Sequence, residues 1–126
     1  MLENLITRSV FVVEDAPSIR ERLTTMLMES DGVEVIGEAD NPKSAIQEIL
    51  SKKPDSVVLD IQLLGGSGLE VLEAVHPIHP QIIFIMLTNF PSEQYRQKCL
   101  ASGASYFLDK NAEFLKVLDA VHSHVH

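Results

Sequence analysis

The chain has one cysteine, Cys99, among its 126 residues. An intrachain disulfide is therefore excluded, and the usage fits a reducing compartment. In "YRQKCLASG" its surroundings read as a helix, where a thiol is far more often packing than chemistry. Long apolar runs are also missing. The longest, "IIFIML" at 82–87, is far too short to span a bilayer, so no membrane insertion is expected. The start, "MLENLITR", meets a glutamate at once and lacks the basic opening of a secretory leader, so a cytoplasmic location is expected. No "GK[ST]" appears, which excludes a P-loop. Basic residues are few, ten against eighteen acidic, for a formal net charge of −8. Such a chain repels nucleic acid phosphates, and no direct nucleic acid contact is expected. Internal repeats, low-complexity stretches and linkers are absent.

What is present is an ordinary globular balance, 45% apolar and 22% charged, which argues against disorder. The length suits one domain, 1–126, with a single core and no effector domain. Short apolar or alternating runs predict strands at 9–13 ("SVFVV"), 33–38 ("VEVIGE"), 56–60 ("SVVLD"), 82–87 and 105–108 ("SYFL"). Helical spacing fills the gaps. Ile19, Leu23, Met26 and Leu27 follow Pro17. Ala45, Ile46, Ile49 and Leu50 follow Asn41-Pro42, a cap and first helical residue. Leu69, Leu72 and Val75 follow Ser67 and Glu70, which have capping-box spacing. A helix from about Pro91 would put Tyr95 and Cys99 on one face. Phe114, Leu118, Val121 and Val125 mark the last helix, with Asn111 as its expected cap. Asp31-Gly32 and 102–104 read as helix-ending turns.

The pattern is (βα)5, an α/β fold with a parallel sheet covered on both faces by right-handed crossovers. Ligands in such sheets bind outside the carboxyl ends of the strands. Those ends carry Glu14-Asp15, Asp60 and Thr88-Asn89, and Lys110 follows the fifth strand. Each alone is most often a cap, a turn residue or a solvated charge. If the strands are neighbours, three carboxylates, a hydroxyl and an ammonium converge on one edge. Clustered carboxylates repel one another, and a hard divalent cation relieves the repulsion. Magnesium suits this set, because it takes oxygen ligands and leaves places for water or phosphate oxygens. A carboxylate beside it can attack a phosphoryl group and form an aspartyl phosphate, a reaction governed by positioning and charge neutralisation.

From Ser9 onward the chain resembles a response-regulator receiver domain of two-component signalling. The resemblance rests on "VVEDAPSIRERL", "VVLDIQLLGGSGLEVL", "IMLTN" and "GASYFLDK", in that order and at the family's separations. It implies a flavodoxin-like sheet of order 2-1-3-4-5. It also implies that Asp60 is the phosphoacceptor, and that Glu14, Asp15, Asp60 and the backbone carbonyl of Gln62 hold Mg2+. Thr88 would be the switch hydroxyl, Lys110 the phosphoryl-pairing lysine and Phe107 the switch aromatic. Tyr106 would face the opposite side of the sheet. Three departures stand out. Leu64 and Asn111 occupy positions where the family often has proline, and Asn89 stands where a smaller residue is usual. A trans bond is expected before Asn111, and a mobile loop around Leu64. The glycines at 65, 66 and 68 read as a flexible approach to the capped helix. Asn89 and Phe90 are expected to hinder attacking water.

The implied activity is that of a signalling phosphoacceptor, not an enzyme with a separate substrate, which promotes its own phosphorylation and dephosphorylation. The donor would be a sensor histidine kinase or a phosphotransfer protein. The output would be a changed face of helix four, strand five and helix five, read by a downstream protein or used for phosphorylation-linked homodimerisation. One alternative is a pseudo-receiver that binds protein without accepting phosphate. Another is a haloacid-dehalogenase-like phosphatase, which wants an aspartate where Gln62 stands. His122 and His126 have a metal-compatible spacing, but a solvated terminus is the commoner meaning. His76 and His79 read as loop residues.

Overall fold

The computed structural model describes residues 7–123. Five parallel strands form one sheet: β1 (Arg8–Val13), β2 (Val33–Ala39), β3 (Ser56–Asp60), β4 (Ile83–Thr88) and β5 (Tyr106–Asp109). Their order is β2-β1-β3-β4-β5, as the resemblance implied. Five helices alternate with them: α1 (Pro17–Met28), α2 (Pro42–Lys52), α3 (Gly68–Val75), α4 (Glu93–Ala101) and α5 (Lys116–Ser123). The expected strands fall within about a residue of these bounds.

β1, β3 and β4 lie in the middle of the sheet and are buried on both faces, which is why they read as continuous apolar runs. Successive side chains point to opposite faces and build two cores. Phe11, Val57, Leu59, Phe84 and Met86 meet α2 and α3 residues such as Ile49, Val71 and Leu72. Val10, Val12, Val58, Ile85 and Leu87 meet Leu23 and Leu27 of α1 and Val117 and Val121 of α5. β2, an edge strand, alternates and carries Glu34 and Glu38, charges that discourage edge-to-edge pairing. No helix among the described residues is long and apolar enough to cross a membrane.

The caps expected from sequence form. Asn41 accepts the amide of Ser44 at 2.9 Å, and Pro42 opens α2. Ser67 accepts the amide of Leu69 at 3.0 Å, while Glu70 accepts that of Ser67 at 2.9 Å. Replacing Ser67 with alanine is expected to cost about 1 kcal/mol, readable by urea unfolding.

Two expectations are corrected. Asn111 does not cap the last helix, because residues 110–115 form turns and α5 starts only at Lys116. Tyr95 and Cys99 lie one turn apart on α4 as expected, but of the two only Cys99 is fully buried, Tyr95 being 43% exposed. The α4 helix starts at Glu93, capped by Ser92, and is buried only at Cys99 near its C-terminal end. The glycine segment is not loose either. Gln62–Leu63 pairs antiparallel with Gly66–Ser67 across a turn in which Gly65 has φ +76°. Leu64, at the tip, donates its amide to the carbonyl of Asp40 at 3.3 Å. A proline there could not make that tie to the β2–α2 loop.

Candidate functional site

The parallel register sets the site. Val13 pairs with Leu59, Asp60 with Leu87, and Thr88 with Asp109. The ends of β1, β3, β4 and β5 therefore reach one level. Glu14, Asp60, Thr88 and Lys110 sit there, each buried. They line a small cleft of about 100 Å³ with Asp15, Gln62, Asn89, Ala16 and Ile19. Asn89 thus reaches the cleft as expected. Phe90 does not line it, and its ring is 62% exposed. Of the two residues expected to hinder water, only Asn89 lines the cleft.

One ligand oxygen from each of Glu14, Asp15 and Asp60 lies within 4.8 Å of the others. Lys110 Nζ donates to Glu14 Oε1 at 2.7 Å and to Asp60 Oδ2 at 3.2 Å. The remaining Glu14 oxygen accepts the amide of Ala16 at 3.1 Å, and Asp60 Oδ1 that of Gln62 at 3.3 Å. One ammonium so faces three carboxylates, a net negative cluster in a site largely shut from water. Burial pushes the Asp15 carboxyl above its usual range, and the hydrogen bond and charge of Glu14 push it further. Burial alone would lower the pKa of Lys110. Its hydrogen bond to Glu14 and the charge of Asp60 lead the opposing effects, which hold it above the ordinary value. The donor set is all oxygen, two or three carboxylates wide, and open to solvent at Asp15. That fits a hard divalent cation of the Mg2+ kind.

Around this centre, Thr88 Oγ1 accepts the amide of Phe90 at 3.0 Å, which leaves its own proton free to donate. Phe107 is half-buried against the core beneath α2 and α3. Tyr106 faces the other core, as expected, and its hydroxyl bonds to Ser123 on α5. The Lys110–Asn111 bond is trans, there being no cis peptide among the described residues. His76 and His79 lie in turns after α3. His122 bonds to Ser30 Oγ at 2.9 Å, while His126 lies outside the described residues.

Two positions were missed in the sequence. Arg20, in the first turn of α1, donates Nη1 to the carbonyl of Glu14 at 2.8 Å and Nε to Glu38 at 3.2 Å. It braces the bend that carries the acidic pair. An arginine one helical turn after an acidic strand end is a signal, though a weak one. Gly68 is the other. A Cβ there would stand 2.1 Å from the carbonyl oxygen of Asp60. No local pattern reveals that need.

The model of the response regulator receiver domain family matches residues 10–122. This chain belongs to that family, and it is a receiver domain of two-component response regulators. It is 30% identical over 112 residues to the response regulator GacA of Pseudomonas viridiflava, covering 89% of this chain and 52% of that protein. BvgA of Bordetella pertussis is 34% identical over 111 residues, covering 88% and 53%. The chain thus spans about half the length of these curated relatives. Among solved structures, the signal receiver domain of NarL from Mycobacterium tuberculosis superposes with a TM-score of 0.84 at 30% identity, covering 94% of this chain and 98% of that one. A chain of the CheX–CheY–BeF3–Mg complex from Borrelia burgdorferi gives 0.84 at 28% identity, covering 94% of this chain and 89% of that one. The phosphatase alternative falls with the family assignment.

Proposed function

We propose that the chain is a Mg2+-dependent phosphoacceptor that takes a phosphoryl group on Asp60 from a histidine kinase or phosphotransfer protein. The observation that carries this reading is the cluster of buried Glu14 and Asp60 with half-buried Asp15, closed by Lys110 Nζ at 2.7 Å from Glu14 and 3.2 Å from Asp60. A carboxylate oxygen of Asp60 forms the new P–O bond as the donor's P–N bond breaks, and the electron pair leaves with the imidazole nitrogen. Glu14, Asp15, Asp60 and the Gln62 carbonyl would hold the metal, whose contribution when bound is to neutralise the carboxylates and the phosphoryl oxygens. Lys110 supplies a second positive charge, and Thr88 can donate its hydroxyl proton to a phosphoryl oxygen. In moving inward Thr88 would give up the amide of Phe90, and Phe107, half-buried on the neighbouring strand opposite Met86, would turn into the vacated space. The face of α4, β5 and α5 then changes, offered to a downstream protein or to a second phosphorylated copy. The net charge of −8 argues against direct nucleic acid binding by this domain. The beryllofluoride and magnesium named for the Borrelia relative's complex support using the same probes here.

The test is incubation with Mg2+ and acetyl phosphate, followed by intact mass and acid–base lability. The expected result is one acid-stable, base-labile adduct on the wild type and none on Asp60→Asn. A wild type that takes no phosphoryl group from acetyl phosphate, phosphoramidate or a panel of kinases would instead mark a pseudo-receiver.

A further inference from the structure

Lys110 is a point charge on a flexible four-carbon stem, so the position of its ammonium depends on how firmly its backbone is held. On one side the hold is the sheet: the amide of Lys110 donates to the carbonyl of Thr88 at 2.7 Å. On the other side the chain leaves β5 through a turn with no proline. Two acidic side chains do the holding there. Asp109 Oδ1 accepts the amides of Asn111 at 2.8 Å and Ala112 at 3.3 Å. Glu113 Oε1 accepts the amide of Asp109 at 2.9 Å, and the amide of Glu113 returns to the carbonyl of Asp109 at 2.8 Å. The two residues clasp each other around Lys110. The clasp is anchored further on, because Glu113 Oε2 takes Lys116 Nζ at 3.0 Å. The next residue, Phe114, is buried beneath the guanidinium of Arg22, 4.3 Å from its ring centre.

We infer that Asp109 and Glu113 are positioning residues, which fix the turn at Lys110 and so hold its ammonium between Glu14 and Asp60. Asn111 belongs to this device: it supplies an amide that proline would lack. The backbone amide of Asp109, helped by Lys116, holds the Glu113 carboxyl below its usual range, so Glu113 stays ionised at neutral pH. The functional consequence rests on the phosphoacceptor reading above, while the geometric one does not.

The full chain tests it through Asp109→Ala and Glu113→Ala, compared with Asp109→Asn and Glu113→Gln, which keep an accepting oxygen. Two readouts are taken. Beryllofluoride binding in Mg2+ is expected to weaken about tenfold in the alanine variants, because a small displacement of a positioned charge is costly. Mg2+ affinity alone should stay within about twofold, since its carboxylates lie on other strands. Separately, in protein carrying isotope-labelled lysine and no analogue, the Lys110 side-chain resonance should move or broaden in the alanine variants. Exposed Lys98 serves as the reference. The Asn and Gln variants should match wild type in both. An unmoved Lys110 signal overturns the inference. So does Mg2+ affinity that falls in step with beryllofluoride, or Asn and Gln variants as impaired as alanine. If wild type binds no beryllofluoride, the phosphoacceptor reading fails, and the Lys110 resonance alone decides the clasp.

Discussion

Gly68→Ala is expected to cut phosphoryl acceptance by about 100-fold and to destabilise the fold by about 1–3 kcal/mol. The added methyl would stand 2.1 Å from the carbonyl oxygen of Asp60, 3.0 Å from its carbonyl carbon and 3.1 Å from the Leu59 side chain. Relief must come from backbone, because no flexible side chain tip is in the way. Gly68 cannot easily retreat: its amide donates to the carbonyl of Ile61 at 2.7 Å, and it opens the helix capped by Ser67 and Glu70. The strain is therefore delivered to the residue that would carry the phosphoryl group. Gly65→Ala separates this cause from a general dislike of substitution in the loop. A Cβ at Gly65 meets nothing within 4 Å, but its φ is +76°. Its cost should be about 1 kcal/mol of backbone strain, with acceptance by Asp60 little changed. Urea unfolding and the rate with acetyl phosphate read both effects. Equal loss of acceptance in the two variants would rule out the close-approach explanation.

The contrast between these glycines shows what was legible. Strand ends could be read because β1, β3 and β4 are apolar on both faces and stop at charged or polar residues, a one-dimensional signal. Capping could be read because Asn41, Ser67 and Glu70 act within three residues of themselves. Strand order came only with the family resemblance, since periodicity says nothing of which strands are neighbours. Gly68 could not be read as necessary, because its reason is a contact with the backbone of Asp60, made only once the chain has turned back. Asn111 suits a cap by its type, yet the chain runs on through turns before α5 begins at Lys116, too far for its side chain to cap that helix. The burial of α4 could not be read. Only its C-terminal end meets the sheet, at Cys99, so a shared helical face did not mean shared burial for Tyr95.

Lys110→Ala is expected to separate two properties that the wild type joins. Removing the ammonium leaves Glu14 and Asp60 facing each other, at 1% and 6% exposure, with no cation between them. Breaking a buried pair in this way costs about 3–5 kcal/mol, because the desolvated charges remain. Phosphoryl acceptance should fall as well, for want of the charge that meets the phosphoryl oxygens. Mg2+ affinity should move the other way. Lys110 occupies a Glu14 oxygen at 2.7 Å, so a metal and the ammonium compete for the same carboxylates. Without that competitor the cluster is more negative, and a given Mg2+ concentration should restore more stability to the variant than it adds to wild type. The pH dependence has a definite sign. The folded pKa of Lys110 lies above its ordinary value of 10.5, so its stabilisation is fully present below that value and is lost as pH rises through the folded one. Wild type should therefore show an alkaline loss of stability that Lys110→Ala lacks. Urea unfolding across pH, with and without Mg2+, measures all three differences. A variant that binds Mg2+ more weakly than wild type would mean that Lys110 organises the carboxylates instead of competing for them.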